Sequence, residues 1–249
     1  MKKIGHLGVL ILLNSILTAQ INVPQVQKSL YTTFESTGCG NCGQYAIPVT
    51  NQVVSQVGSK AVFFSLHHSG SLLYSQVGQD IAVAFGAAGT PFWTLNSIPL
   101  GYYNASMQTT LINSINANYS ATSTDVNTGF EWYIDSDTIY VETLTKFFNA
   151  GSGDYNVAVY ISEDRIFEYQ SNYDVNIPSE DIYHDHILRT SFSKEAFGIQ
   201  IVSGNVNSGA TYTNFHKIKI DPSWNLSEIS LSSVVWKDNG GSYEFKNAN

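Results

Sequence analysis

Apolar positions in the first half of the chain switch between two spacings. Residues 28–36, KSLYTTFES, repeat every second position. Leu30, Thr32 and Phe34 fall on one face and Tyr31, Thr33 and Glu35 on the other, which predicts a strand. Residues 42–58, CGQYAIPVTNQVVSQVG, take the wider spacing of a helix that Gly58 closes and Pro48 kinks or interrupts. Residues 60–68, KAVFFSLHH, form a near-continuous apolar run, as in a strand covered on both faces. A helix follows over 71–86, then a short strand over 89–97 opened by a proline, then a helix over 105–119. The order is β-α-β-α-β-α.

After Thr122 the helical spacing stops. Residues 128–145 read as two alternating runs around Asp135-Ser136-Asp137, a hairpin signal. Further runs lie at 155–164, 181–192, 197–204, 211–220, 228–237 and 242–247. Short strands at such spacing predict an antiparallel sandwich. A membrane barrel would need a lipid-facing apolar band along every strand, and these runs lack one. Residues 166–177 read as a long, aromatic, polar loop with no element of their own.

The opening, MKKIGHLGVLILLNSILTAQ, has a basic head, an apolar run densest from Leu7 to Leu13, and small residues at Thr18 and Ala19. That is the layout of a secretory signal peptide over residues 1–20, and the run is short for a membrane span of about 20 residues. No cysteine lies near the cut, which argues against lipid attachment there, and no later stretch reads as a span. The mature chain is expected in the periplasm, on the outer-membrane surface or secreted. Loss of Lys2 and Lys3 with the leader takes the formal charge from −8 to −10. A chain so acidic, without a basic patch, is not built to neutralise phosphates, which argues against nucleic-acid partners.

The only two cysteines, Cys39 and Cys42, stand in ESTGCGNCGQYAIP, between the first strand and the first helix. Free backbone N–H groups and the helix dipole at such a start stabilise a thiolate at Cys39, and Cys42 is within disulfide reach. Three readings stand: a working dithiol, a static disulfide, and half of a metal site. So short a loop constrains the unfolded chain little. A metal half-site needs two more ligands, and no second Cys-x-x-Cys exists. Some fifty residues on, Thr90-Pro91 opens a strand in GAAGTPFWTLN, the place where thioredoxin-like folds put a cis-proline beside the dithiol. His67 and His68 end a strand expected to run parallel to the one feeding Cys39. Sites gather at such carboxyl ends, so His67 is a candidate to stabilise the thiolate or move a proton. On a single strand His184 and His186 would share a face ~7 Å apart, a spacing used by metal sites, with His216 and Asp185 as further candidates. No Gly-x-Ser-x-Gly turn marks an activated serine in the second half.

The stretches TTFESTGCGNCGQYA, SLHHSG, GAAGTPFWTLN, YHDHILRTSF and VVWKDNGGSYEFKNAN together resemble the outer membrane protein 28-related family of Bacteroidetes. The resemblance covers most of the mature chain. It implies an α/β thioredoxin-like domain over 21–122 followed by an all-β antiparallel, Ig-like sandwich over 123–249. Typical thioredoxins carry a tryptophan before the first cysteine and Gly-Pro between the two; this chain has Gly38 and Gly40-Asn41. The expected function is thiol–disulfide exchange on exported proteins, with Cys39 attacking, Cys42 resolving, and Thr90 and Pro91 shaping the substrate groove. No cofactor is implied. The alternative is a surface binding module with a static disulfide.

Overall fold

The computed structural model describes residues 20–71, 73–119 and 124–249. The core of the expected leader and the expected boundary near Thr122 lie outside the described residues.

The first strand, β1 (Ser29–Glu35), is buried along its whole length. The chain leaves it through a turn closed by the Cys39 N–H on the Ser36 carbonyl at 3.0 Å. A π-helical turn over Cys42–Ala46 then passes into α1 (Ile47–Val57). Pro48 has no N–H to offer the carbonyl four residues back, and its ring needs room there. The preceding turn is widened, and the Ile47 N–H bonds the Cys42 carbonyl, five residues back. The interruption expected at Pro48 is thus a widened turn. β2 (Ala61–His67) lies parallel to β1, from Ser29 opposite Ala61 to Glu35 opposite His67. Next comes α2 (Gln76–Ala84), which starts where the Ser75 hydroxyl accepts the Gly78 N–H at 3.1 Å. β3 (Phe92–Leu95) is antiparallel to β1. A fourth strand, β4 (Ile98–Gly101), was not expected. Asn96 and Ser97 both take positive φ, 54° and 65°, and turn the chain back at once as a two-residue hairpin. α3 (Met107–Tyr119) ends this half.

Twelve strands follow: β5 (Val126–Asp135), β6 (Thr138–Phe147), β7 (Gly151–Ser152), β8 (Asp154–Glu163), β9 (Ile166–Gln170), β10 (Glu180–His184), β11 (Ile187–Ser191), β12 (Ile199–Val202), β13 (Asn205–Val206), β14 (Thr211–Lys219), β15 (Ile229–Asp238) and β16 (Tyr243–Ala248). Two expectations are corrected. The stretch 166–177 opens as β9, which pairs with β10 in a hairpin from Ile166 opposite His184 to Gln170 opposite Glu180. Residues 181–192 are two strands, because His186 takes φ 61° and breaks the run.

One mixed sheet joins the halves, in the order β16-β15-β8-β11-β2-β1-β3-β4, with β12 also on β8. The junction is narrow: Ile187 of β11 pairs parallel with Ser65 of β2, and the Ser65 N–H donates to the His186 carbonyl at 2.7 Å. One face carries a core running from Leu30, Phe34, Phe64 and Leu66 to Tyr160, Val234 and Trp236, covered by Val77 and Ile81 of α2. On the other face Tyr31, Phe63 and Trp93 pack under α1 and α3. Further along that face, Val159 and Ile161 of β8 meet Ile139 and Val141 of β6, in the separate antiparallel sheet β14-β6-β5. The period-two burial of β6 records that packing: its odd-numbered positions from Ile139 to Phe147 are buried. The architecture is therefore a mixed α/β sheet with β1-α1-β2 at its start, followed by antiparallel β-sheets.

Candidate functional site

Cys39 and Cys42 form a disulfide with Cα atoms 5.2 Å apart. Cys42 is fully buried and packs with Tyr31, Ala46 and Trp93. Cys39 is half-buried. The Cys42 N–H points at the Cys39 sulfur at 3.1 Å and at the Cys39 carbonyl at 3.0 Å. Cys39 thus precedes the helical turn and its sulfur receives a backbone donor, the arrangement that favours negative charge on sulfur.

One flank of this turn is covered by the second half of the chain. The Gln170 side chain, at the end of β9, donates from Nε2 to the Cys39 carbonyl at 3.0 Å and the Ser36 carbonyl at 3.4 Å. The Ser171 N–H donates to the Thr37 carbonyl at 2.8 Å, and the Tyr173 N–H to the Gly40 carbonyl at 3.2 Å. The approach is so close that only glycine fits at two positions. A Cβ on Gly40 would lie 2.1 Å from the Tyr173 ring, and one on Gly43 would lie 2.3 Å from the Ser171 carbonyl oxygen. Gly40 and Gly43 of GCGNCG therefore serve the seating of the hairpin loop.

The opposite flank is open. Asn41 and Tyr45 of the cysteine turn face Thr90, Pro91, Tyr102 and Tyr103 across a groove of about 310 Å³. The Thr90–Pro91 peptide is cis. Tyr45 and Tyr103 stack with ring centroids 4.0 Å apart, so the groove has an aromatic wall.

Beneath α1, the ends of β1 and β2 bury an acid and a base side by side. Glu35 is 2% exposed; burial raises its carboxyl to about 7, against hydrogen bonds from Thr33 and Ser65 that favour the anion. His67 is 1% exposed; burial lowers it to about 3, and the nearby His184 pushes the same way. Its Nδ1 is 2.9 Å from the Ser71 hydroxyl, and its ring meets His184 edge-on at 5.9 Å. Glu35, His67, His184 and His186 line one small cavity of about 20 Å³, room for about one water-sized group.

Of the residues singled out from sequence, Cys39 and Cys42 are joined in the disulfide, and Thr90 and Pro91 line the groove with Asn41 and Tyr45 of the cysteine turn. His67 lies below the sheet's surface, and a ring held neutral at ordinary pH brings no positive charge to a thiolate. His184 and His186 do not share a strand face. His184 closes β10 against His67, and its Nε2 is 3.2 Å from the Glu168 carbonyl. His186 lies in the turn, with its Nδ1 3.3 Å from Asp164 and its ring 5.5 Å from that of Phe63. Asp185 accepts the Arg165 N–H at 2.9 Å, and His216 is on β14 beside Thr143. Among the described residues no group of three or more His, Cys, Asp or Glu is arranged to hold a metal. Sequence reasoning missed Glu35, Gln170 and Tyr173. Four positions before Cys39, Glu35 was visible as an acid in an otherwise uncharged strand; Gln170 and Tyr173 had no signal, because their contacts with Cys39 and Gly40 span about 130 residues.

A search of curated proteins found no match. Among solved structures, HBP35 of Porphyromonas gingivalis matches with a TM-score of 0.70 at 11% identity, over 92% of this chain and 76% of that one. At that identity the likeness concerns the fold. A domain of the outer membrane lipoprotein Omp28 from Porphyromonas gingivalis matches with a TM-score of 0.34 at 17% identity, over 51% of this chain and 85% of that one. The sequence profile of outer membrane protein Omp28 matches residues 79–245, a stretch that begins after the cysteines, Glu35 and His67. That match spans well over half of the sequence, and the chain belongs to the Omp28 family.

Proposed function

We propose that this protein is an exported thiol–disulfide exchange protein of the outer membrane or periplasm, working through Cys39 and Cys42 in a thioredoxin-like half. The reading rests on one observation: a partly exposed Cys39 just before a helix start, disulfide-bonded to a buried Cys42, in a turn whose Asn41 and Tyr45 line an open groove. From the oxidised state, a thiolate of an exported polypeptide attacks the Cys39 sulfur. The Cys39–Cys42 bond breaks, a mixed disulfide forms, and Cys42 leaves as a thiolate that takes up a proton. A second thiolate of the same polypeptide attacks its own sulfur in the mixed disulfide. That forms the polypeptide's disulfide and releases Cys39. Two electrons pass to the protein; the reverse sequence reduces a partner disulfide. Thr90, Pro91, Tyr45 and Tyr103 shape the groove in which the partner lies.

The alternative is a surface module with a static disulfide. It is favoured by the grip of the β9–β10 loop on the carbonyls of Ser36, Thr37, Cys39 and Gly40. Trapping separates the two. With Cys42→Ser, the Cys39 thiolate should attack a disulfide-bonded peptide, release one of its sulfurs as a thiolate, and accumulate as a mixed disulfide that no Cys42 can resolve, seen by intact mass. A Cys42→Ser chain that forms no such adduct, while its Cys39 still reacts with a small disulfide, would favour the static reading.

A further inference from the structure

A second cavity lies away from the disulfide. It has a volume of about 540 Å³ and is lined by Tyr74, Arg189, Lys194, Lys219, Asp221 and Trp224, among others. That volume is within the usual range for small-molecule sites. Tyr74 comes from the segment before α2, Arg189 from β11, and Lys219 to Trp224 from the end of β14 and the turn after it. The cavity therefore sits where the two halves meet.

Arg189, Lys219 and Asp221 are held before any ligand arrives. The Arg189 Nε is 3.4 Å from the Glu163 carboxylate, which is buried and accepts the Asn225 N–H at 2.9 Å. Arg189 Nη2 is 3.3 Å from the Ser223 hydroxyl, and that hydroxyl donates to Asp221 at 2.7 Å. The Trp224 N–H bonds the Asp221 carbonyl at 3.0 Å, which fixes the turn carrying the indole. Lys219 pairs with Asp137 at 3.0 Å. Three cations thus stand against three carboxylates, those of Asp221, Glu163 and Asp137. The site has no excess charge to select an ion. It offers donors and acceptors at fixed positions and two aromatic rings.

We infer that this cavity binds an uncharged saccharide. A sugar ring has a face of C–H groups that lies against an aromatic ring, and a rim of hydroxyls that both donate and accept. Arg189, Lys194 and Lys219 supply donors, Asp221 an acceptor, and Trp224 and Tyr74 the apolar surfaces. Because the Arg189–Glu163–Ser223–Asp221 network is already ordered, binding does not have to immobilise those side chains. The inference concerns elements other than the cysteine turn and does not depend on thiol exchange.

The test is a titration of the full-length, isotope-labelled protein with neutral trisaccharides of glucose, mannose, galactose and N-acetylglucosamine, up to about 10 mM. A trimer of galacturonic acid is the charged arm. The expected result is that at least one neutral trisaccharide shifts the Trp224 indole signal, with the indole signals of Trp93 and Trp236 unmoved. Trp224→Ala should abolish binding. Tyr74→Ala, on an exposed side chain whose loss leaves the core intact, should weaken it about tenfold. Three results overturn the inference: no neutral saccharide binds, only the acidic trimer binds, or binding survives Tyr74→Ala unchanged.

Discussion

Glu35 and His67 stand opposite each other at the ends of β1 and β2, and burial disfavours the charged form of both. The consequences for stability have opposite signs. Glu35 is raised from 4.5 to about 7, so the folded state keeps a proton that the unfolded chain releases, and stability falls as pH rises through that window. His67 is lowered from 6.5 to about 3, so the unfolded chain takes up a proton that the folded state refuses, and stability falls as pH drops through that window. The losses are on the order of 3 kcal/mol for Glu35 above its window and 5 kcal/mol for His67 below its own. The protein should be most stable near pH 6. Glu35→Gln should flatten the alkaline side and His67→Gln the acid side, as read by denaturant unfolding at stepped pH. A curve unchanged by Glu35→Gln would show that its carboxyl ionises freely in the fold. After reduction, Cys39 should react with iodoacetamide faster than Cys42 below neutral pH, because it is the more exposed sulfur and sits where thiolate is favoured. Mass mapping of the adducts checks this; equal rates with an ordinary thiol pKa, about 8.5, would contradict it.

At the scale of the element, the hairpin β9–β10 and its loop give the cysteine turn a wall drawn from the other half of the sequence. Gly40→Ala should cost about 1–3 kcal/mol, because the new methyl meets the Tyr173 ring. The same change in a Tyr173→Ala background should cost a few tenths at most, a coupling that a double-mutant cycle measures directly. Additive costs would mean that the loop does not seat on Gly40. The elements written in local periodicity were legible: β1, β2, the three helices, and the alternating strands β5, β6, β8 and β14. So were the Cys39–Cys42 pairing at a helix start and the cis Thr90–Pro91 peptide, because a strand, a helix start and a strand-opening proline each leave a local mark. The hairpin over the cysteines was not legible. Its residues Phe167, Tyr169 and Tyr183 are exposed aromatics without a buried face to set a period. His184 and His186 misled for a related reason. Alternation cannot reveal a residue at positive φ, and His186 is one.

Across the whole molecule, the expected division near residue 122 is bridged by the sheet. β8, β11, β15 and β16 continue the sheet that β1–β4 begin, and α2 packs on strands from both halves. The β16 edge also returns to the start of β1: Asn247 accepts the Lys28 N–H at 2.9 Å, and Gln27 donates to the Lys246 carbonyl at 2.8 Å. The full chain should therefore unfold in one cooperative transition, and a fragment of residues 125–249 should not hold native structure, since it would leave the β11 edge and half of the main core bare. Calorimetry of the full chain and circular dichroism of the fragment check this; two separate transitions, or a fragment that folds, would contradict it.

The central claim is that Cys39–Cys42 exchanges with thiols in the folded protein. The most direct measurement is its reduction potential, from equilibration of the native protein with dithiothreitol buffers and mass quantitation of alkylated thiols. A partly exposed sulfur at a helix start should give a value above about −300 mV, with reduction complete while the fold stays intact. A potential below about −300 mV, or reduction only after unfolding, would contradict the claim and leave the disulfide a structural one.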